Sequence, residues 1–130
     1  MINHNFLIQF YFIFLAIGTG MTQAGLIAGR QLNKGSEKIV GISVSRKKEQ
    51  ELRILATFVE TYFHSLGIEL PLGELEIIDD YLCGGYGKYD DAIVNIIKET
   101  LIQEGMPLDP TYTGKAFNGM LRTIEKEKLT

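Results

Sequence analysis

Short apolar runs alternate with longer amphipathic segments along the whole chain. Runs rich in β-branched and aromatic residues occupy Phe6–Ile17, Lys38–Ser45 and Leu75–Ile78, which predicts three strands. Apolar residues recur at three- and four-residue spacing over 22–34, 46–66, 90–104 and 114–128, which predicts four helices. This alternation is typical of a parallel sheet with helices on both faces. We therefore predict a single α/β domain over residues 1–130, with three layers (α-β-α) around a mostly parallel sheet.

The first apolar run, FLIQFYFIFLAI at Phe6–Ile17, allows more than one interpretation. It is shorter than the roughly 20 residues that a membrane-spanning helix needs. A signal-peptide core fits its length, although no Lys or Arg precedes it, and an altered start of the chain is a third alternative. Its aromatic and β-branched composition and its Gly-rich end favour a buried strand. We predict a strand here and no membrane partner.

Charge and cysteine content exclude several classes of function. The 13 basic residues are scattered among 16 acidic residues, giving a net charge of -3. Binding to a nucleic-acid backbone needs clustered Lys and Arg, so we predict no nucleic-acid partner. Cys83 is the only cysteine, and His4 and His64 lie far from any ligand cluster, so we predict no metal site. We expect Cys83 to be a small buried thiol. We also expect the protein to be cytoplasmic.

A glycine-rich turn joins the first predicted strand to the first predicted helix. Ligands bind parallel sheets at the carboxyl ends of the strands, where Gly18, Thr19, Gly20, Met21 and Thr22 are placed. Backbone N–H groups at a helix N-terminus favour an anion, although a plain tight turn is an equal alternative. Gln23 replaces the third glycine of a dinucleotide fingerprint, so one phosphate fits better than a pyrophosphate. We expect Thr22 to cap this helix and Gly35 to end it in a left-handed conformation.

Four segments, in this order, resemble signatures of the D-cysteine desulfhydrase/1-aminocyclopropane-1-carboxylate deaminase family. They are GTGMTQAGL (Gly18–Leu26), KIVGISVSR (Lys38–Arg46), IIDDYLCGGYG (Ile77–Gly87) and EGMPLDPTYTGKAFNGM (Glu104–Met120). This family is a branch of the fold-type-II enzymes that depend on pyridoxal 5′-phosphate (PLP). The resemblance implies part of a tryptophan-synthase-β-like large domain, PLP as cofactor and a small amino-acid substrate.

The same resemblance implies roles for individual residues. The cofactor phosphate would be held by Gly18, Thr19, Gly20, Met21 and Thr22, with Met21 replacing the family's usual Gly or Ser. Tyr86 and Tyr112 match two tyrosines of the substrate pocket and would be catalytic, while packing under a loop is their alternative role. Such a phenol can assist proton transfer if its pKa is shifted toward the working pH.

The sequence YTGK helps to distinguish the two branches of the family. Thr113 matches the position that faces the pyridine nitrogen, where the deaminase branch has glutamate, so the desulfhydrase branch is favoured. Lys115 belongs to another family position and is expected to have a structural or surface role.

Asp79 and Asp80 point to opposite faces if the strand continues, so they do not form a joint site. For these two residues we predict a capping or loop-ordering role. Arg46, at a helix start, could approach a ligand.

The lysine-bearing segment GNKxRKLE, on which this family carries its cofactor, does not occur in these 130 residues. We therefore expect the C-terminal part of such an enzyme, inactive alone in α,β-elimination from a D-amino acid or in deamination of 1-aminocyclopropane-1-carboxylate. A non-catalytic phosphate- or nucleotide-binding module and half of a split enzyme are the alternatives. We expect a homodimer or a partner chain that supplies the N-terminal half. Exposed apolar surface around Phe10, Phe12 and Phe14 predicts self-association.

Overall fold

Three parallel strands alternate with helices in the computed structural model, which describes residues 10–129. The elements are β1 (Phe12–Ile17), α1 (Met21–Leu32), β2 (Lys38–Ser43), α2 (Lys48–Ser65), β3 (Glu76–Ile78), α3 (Asp91–Glu104) and α4 (Thr113–Glu127). In the order β1-β2-β3, Ile13 pairs with Ile39 and Gly41 pairs with Ile77. The predicted α/β class and parallel sheet are confirmed, with all three described strands parallel.

Helices cover both faces of the sheet. On one face, α1 and α2 pack over a core that includes Ile17, Ile39 and Ile77 from the strands and Ile27 and Leu55 from the helices. On the other face α4 contacts β1 and β2, and α3 packs against α4. This is the three-layer arrangement predicted from the sequence. Because all three strands run in one direction, the loops that follow them meet at one edge of the sheet.

The first strand is shorter than predicted. Residues 6–9 of the predicted strand, and His4, lie outside the described residues, and β1 begins at Phe12. Phe10 and Tyr11 precede it and are 60% and 76% exposed. Phe12 and Phe14 are partly buried beside Met120 and Ile124 of α4. Within the described sheet β1 is an edge strand, which is compatible with the expected self-association, and that expectation stays a prediction.

The ends of α1 differ from the prediction. Gly20, with a φ of 95°, is the N-cap, so Thr22 lies inside the first turn rather than before it. At the other end Lys34, not Gly35, adopts the left-handed conformation, with a φ of 56°. The Lys34 N–H donates to Gln31 O at 3.4 Å and the Gly35 N–H to Arg30 O at 2.8 Å. This is a Schellman motif, in which Gly35 is one position beyond the left-handed residue.

The other helices are capped by aspartates. Asp90 Oδ1 accepts the Ile93 N–H of α3 at 3.1 Å, and Gly105 ends that helix with a φ of 66°. Asp79 Oδ2 accepts the Lys48 N–H of α2 at 2.8 Å, which confirms the capping role predicted for Asp79. The Asp79 cap therefore ties the loop after β3 to the start of α2.

Candidate functional site

A cleft of about 540 Å³ opens at the carboxyl edge of the sheet. Its lining comes from the end of β1 and the loop after it, the first turn of α1, the loop after β2, the loop after β3 and the turn before α4. The lining residues are Ala16, Gly18, Thr19, Thr22, Ser45, Arg46, Tyr86 and Tyr112. The cleft thus brings the glycine-rich turn, which the sequence pattern placed at the ligand-binding edge, together with the loops after β2 and β3.

Of the five residues of the predicted phosphate loop, three line the cleft, one is buried and one lies in a separate groove. Gly18, Thr19 and Thr22 line the cleft. Gly20 is buried against α2, where a Cβ would lie 3.6 Å from Ile54 Cγ2, and its φ of 95° favours glycine. Met21 is 68% exposed and lines a separate groove between α1 and α2, of about 520 Å³. The Met21 side chain therefore does not narrow the cleft.

The N-terminus of α1 has no carboxylate cap. Among residues 10–129, the one side-chain hydrogen bond to its first N–H groups is a long one, from the Met21 N–H to Thr19 Oγ1 at 3.4 Å, and its first turn contains no acidic residue. The N–H groups of Thr22 and Gln23 have no helical acceptor, as is general for the first turn of an α-helix. The starts of α2, α3 and α4 are each capped by an aspartate. The start of α1 is therefore left to attract an anion from the cleft.

The two predicted pocket tyrosines form a pair. The hydroxyl oxygens of Tyr86 and Tyr112 lie 2.5 Å apart, and the rings meet edge to face with centroids 5.9 Å apart. The hydrogen bond with Tyr86 raises the pKa of Tyr112, and burial and the charge of Asp109 act in the same direction. This shift is away from neutral pH, so the phenol stays protonated. Tyr112 thus provides a neutral hydrogen-bonding group and not a ready general base.

Asp109 organises the turn that presents Tyr112. Its carboxylate accepts hydrogen bonds from the N–H groups of Thr111, Tyr112 and Thr113, at 2.7 to 2.9 Å. Thr113 Oγ1 also donates to Asp109 Oδ1 at 2.7 Å and accepts the Asp109 N–H at 2.8 Å. Thr113, predicted to face the pyridine nitrogen, thus has its hydroxyl bound to Asp109, and Thr113 is not among the residues that line the cleft.

The pKa of Asp109 makes this turn sensitive to acid. Burial raises this pKa, but the hydrogen bonds from the Thr113 hydroxyl and from the three N–H groups outweigh burial and lower it from 3.8 to about 2. A carboxyl group whose pKa is lower in the folded state stabilises the fold above its unfolded pKa. Its contribution is therefore complete above pH 4 and is lost as the pH falls toward about 2.

Asp109→Asn should lower the unfolding free energy at pH 7 by about 1–2 kcal/mol, because Asn has one acceptor oxygen for these donors. Urea unfolding of the protein and the variant between pH 2 and pH 7 measures the difference. We expect the difference to shrink as the pH falls from about 4 to about 2. Asp80→Asn, at an exposed position in the loop after β3, is the control. A difference between protein and Asp109→Asn that stays constant over this range would contradict the role of the Asp109 charge.

Lys115 is fully buried, and its role is structural. Its ammonium donates to Leu82 O and Gly85 O, both at 2.8 Å, and to Val44 O at 3.4 Å. Burial lowers its pKa, while Cys83 and Asp90 oppose that shift. Since Tyr86 follows Gly85 directly, Lys115 fixes the tyrosine-bearing loop against the end of β2.

Cys83 is only partly buried, contrary to the expectation of a buried thiol. It adopts a left-handed conformation with a φ of 55°, and its Sγ lies 3.6 Å from Asp90 Oδ2. Burial, followed by the negative charge of Asp90, raises its pKa. A thiol with a raised pKa is a weak nucleophile, and Cys83 is not among the residues that line the cleft.

One polar residue that the sequence placed near a ligand lines the cleft, and two buried polar residues were not assigned from the sequence. Arg46 lines the cleft and donates to Gly18 O, whereas Gln23 and Glu51 are the two buried residues. Within residues 10–129 no three His, Cys, Asp or Glu side chains are grouped as metal ligands would be. None of the helices in that range combines the length and apolar character needed to cross a membrane.

Comparisons with known proteins show which proteins this chain is similar to. No model of a known protein family matches it. It is 38% identical over 114 residues to a Pyrococcus abyssi protein provisionally named 1-aminocyclopropane-1-carboxylate deaminase, covering 88% of the chain and 34% of that protein. It is 33% identical over 121 residues to the D-cysteine desulfhydrase of Yersinia pestis, covering 93% of the chain and 37% of the relative.

The fold agrees with these relatives. A crystal structure described as an ACC deaminase homologue matches with a TM-score of 0.86 and 34% identity, covering 95% of this chain and 37% of that one. The chain therefore spans about a third of the length of the proteins it matches. It belongs to the D-cysteine desulfhydrase/1-aminocyclopropane-1-carboxylate deaminase family and corresponds to the C-terminal part of its members.

Proposed function

We propose that this chain supplies the phosphate-binding and pocket-lining part of a PLP-dependent enzyme that acts on D-cysteine or a similar D-amino acid. Members of this family depend on PLP. The observation that supports the proposal best is the uncapped start of α1, which opens into the same cleft as the Tyr86–Tyr112 pair. A cofactor phosphate and an amino-acid substrate would then lie in one cleft.

The residues at the start of α1 suit a phosphate. Small residues let the backbone approach an anion, and the free N–H groups of Thr22 and Gln23 are donors. The hydroxyls of Thr19 and Thr22 add two more donors at the edge of the cleft. The positive end of the α1 dipole favours the negative charge. These groups would hold the phosphate of PLP.

The tyrosine pair would orient the substrate. When bound, PLP supplies an electron sink for cleavage of bonds next to the amino carbon. Each phenol has a single O–H, so one hydroxyl donates to the other and the remaining O–H is free to donate to a ligand. That free O–H can bind the carboxylate of an amino acid or donate a proton to a leaving group. Asp109 and Lys115 keep the two hydroxyls in place.

We favour α,β-elimination, which converts D-cysteine to pyruvate, ammonia and sulfide. Thr113 supports this choice because it is neutral where the resemblance implies a glutamate in the deaminase branch. Ring-opening deamination of 1-aminocyclopropane-1-carboxylate is the alternative. Pyruvate formation from D-cysteine, compared with 2-oxobutanoate formation from 1-aminocyclopropane-1-carboxylate by the assembled enzyme, distinguishes the two reactions.

We further propose that the chain is inactive alone and acts in the cytoplasm, as a homodimer or with a partner chain that supplies a cofactor lysine. The test mixes it with PLP, D-cysteine and a second chain made from the N-terminal two-thirds of the Yersinia pestis relative. We expect pyruvate and a visible PLP absorbance band only in the mixture. Pyruvate from the 130-residue chain alone would contradict its inactivity. A mixture without the band would contradict assembly from two chains.

A non-catalytic phosphate or nucleotide binder is the competing function, because the start of α1 needs no lysine to bind an anion. Thermal unfolding in the presence of AMP, ATP or PLP separates the two functions. The enzyme proposal predicts the largest shift of the melting temperature with PLP. A larger shift with a nucleotide would favour the binding module.

A further inference from the structure

Arg46 is the cationic side chain in the cleft. It follows β2, its side chain is 38% exposed, and it shares the cleft with Thr19, Thr22 and the tyrosine pair. Its Nη1 donates to Gly18 O at 2.8 Å. This bond fixes the guanidinium group beside the first residue of the phosphate loop.

A buried carboxylate holds Arg46 from below. Glu51, in the first turns of α2, is fully buried, and its Oε1 lies 3.6 Å from Arg46 Nη1. Neither Glu51 oxygen accepts a hydrogen bond within residues 10–129. Burial raises the pKa of Glu51, while the positive charge of Arg46 opposes that rise. Glu51 therefore attracts the guanidinium through Nη1, the same nitrogen that donates to Gly18 O.

The remaining donors of Arg46 are available to a ligand. Only Nη1 is recorded in a hydrogen bond, so Nε and Nη2 have no hydrogen-bond partner in the described part of the chain. A guanidinium group has a planar fork of N–H donors that matches the oxygens of a phosphate or a carboxylate. Binding an anion through a fully solvated arginine costs free energy, because the side chain must lose water and become ordered. Arg46 is already partly desolvated and oriented in the cleft, so this cost is smaller.

We propose that Arg46 is a direct oxyanion ligand of this cleft, which adds a guanidinium group to the backbone and hydroxyl donors at the start of α1. The inference rests on the proposed function and deepens it. The oxyanion is either the phosphate of the cofactor or the carboxylate of the substrate, and both would be bound through the same donors.

Isothermal titration calorimetry of the full chain with four probes tests this. The probes are 4′-deoxypyridoxine 5′-phosphate, which lacks the aldehyde that reacts with surface lysines, pyridoxine without the phosphate, inorganic phosphate, and acetate. Arg46→Met removes the guanidinium but strands the Glu51 carboxylate, so it can fail by unfolding. The double variant R46M/E51Q removes both charges and is compared with E51Q alone.

We expect R46M/E51Q to recover most of the melting temperature lost by R46M, yet to bind the oxyanion at least tenfold more weakly than E51Q. Loss of a charge-assisted hydrogen bond changes affinity by about this factor. Arg53→Met, at an exposed position of α2, is the matched control and should change affinity less than twofold. A loss confined to the phosphate probes identifies a phosphate ligand, and a loss confined to acetate identifies a carboxylate ligand.

Equal affinities of R46M/E51Q and E51Q for all probes would overturn the inference and leave the phosphate site intact. Arg46 would then only neutralise Glu51 and bind Gly18 O. If the unmodified chain bound none of the four probes, the proposed phosphate site itself would fail.

Discussion

Lys115→Met should lower the unfolding free energy by about 3 kcal/mol or more. Three backbone carbonyls, of Val44, Leu82 and Gly85, would lose their common donor, and each buried polar group left without a partner costs about 1–3 kcal/mol. Methionine fills most of the lysine volume, so the loss reports the hydrogen bonds more than a cavity. Small domains have only about 5–15 kcal/mol of stability, and this variant would lose a large part of it.

Urea unfolding of Lys115→Met and of Lys98→Met measures the effect. Lys98 is an exposed lysine of α3, and its variant should change the unfolding free energy by less than about 0.5 kcal/mol. Limited proteolysis under native conditions should also cut Lys115→Met faster between Leu82 and Tyr89, because the loop has lost its anchor. Equal stability of the two variants would show that Lys115 does not hold the loop.

Gly41→Ala should be the second severe variant, with a loss of about 2–4 kcal/mol. A Cβ at residue 41 would overlap the amide of Gln23, whose Cδ would lie 2.8 Å away, and would lie 3.0 Å from Ile77 Cδ1. The Gln23 side chain is 1% exposed, and its Nε2 donates to Ile39 O at 3.3 Å and to Glu76 O at 3.0 Å. Moving the amide aside breaks these hydrogen bonds, which adds to the cost of overpacking.

A double-mutant cycle isolates this clash. Gln23→Ala removes the obstructing amide. The unfolding free energies lost in Gly41→Ala and in Gln23→Ala, added together, should therefore exceed the loss in the double variant by at least about 1 kcal/mol. A coupling of this size is typical for residues in contact. Gly29→Ala is the control, since a Cβ there meets no atom within 4 Å and alanine favours the helix. It should be neutral or stabilising by up to about 1 kcal/mol. Additive losses in the cycle would contradict the placement of Gln23 over Gly41.

The periodicity of the sequence was sufficient to predict the fold. Helix ends were found to within about two residues where a capping residue is local, as at Asp90 for α3. The start of α2 was predicted at residue 46, two residues early, and the sequence did not show which helix Asp79 caps, because Asp79 reaches it from the loop after β3. Lys34 adopts the left-handed conformation that was expected for Gly35, so the left-handed position at the end of α1 was predicted one residue too late.

Side-chain directions in the candidate site were harder to predict. Thr19 and Thr22 line the cleft as the glycine-rich turn suggested, but Met21 points into the groove between α1 and α2. Thr113 was predicted from a position in a motif, whereas its hydroxyl is bound by Asp109 four residues earlier. Such local hydrogen bonds depend on a turn geometry that residue spacing does not specify.

Buried polar residues were the main omission. Glu51 lies four and eight residues before Leu55 and Val59, on the buried stripe of α2, so the periodicity did contain a signal for it. Gln23 lies on the buried side of α1 with Ala24 and Ile27, and could have been recognised in the same way. Their partners could not, because Arg46, Gly41 and the strand carbonyls come from other elements.

The central claim is that a phosphate-bearing cofactor binds where the start of α1, Arg46 and the tyrosine pair meet. Two-dimensional ¹H–¹⁵N NMR of the labelled chain during titration with 4′-deoxypyridoxine 5′-phosphate tests it directly. We predict that the largest shift changes fall on the amides of Gly18–Gln23, Arg46, Tyr86 and Tyr112, and that pyridoxine without the phosphate leaves the Gly18–Gln23 amides unchanged. Shift changes centred on the groove between α1 and α2, or equal changes with both compounds, would contradict the claim.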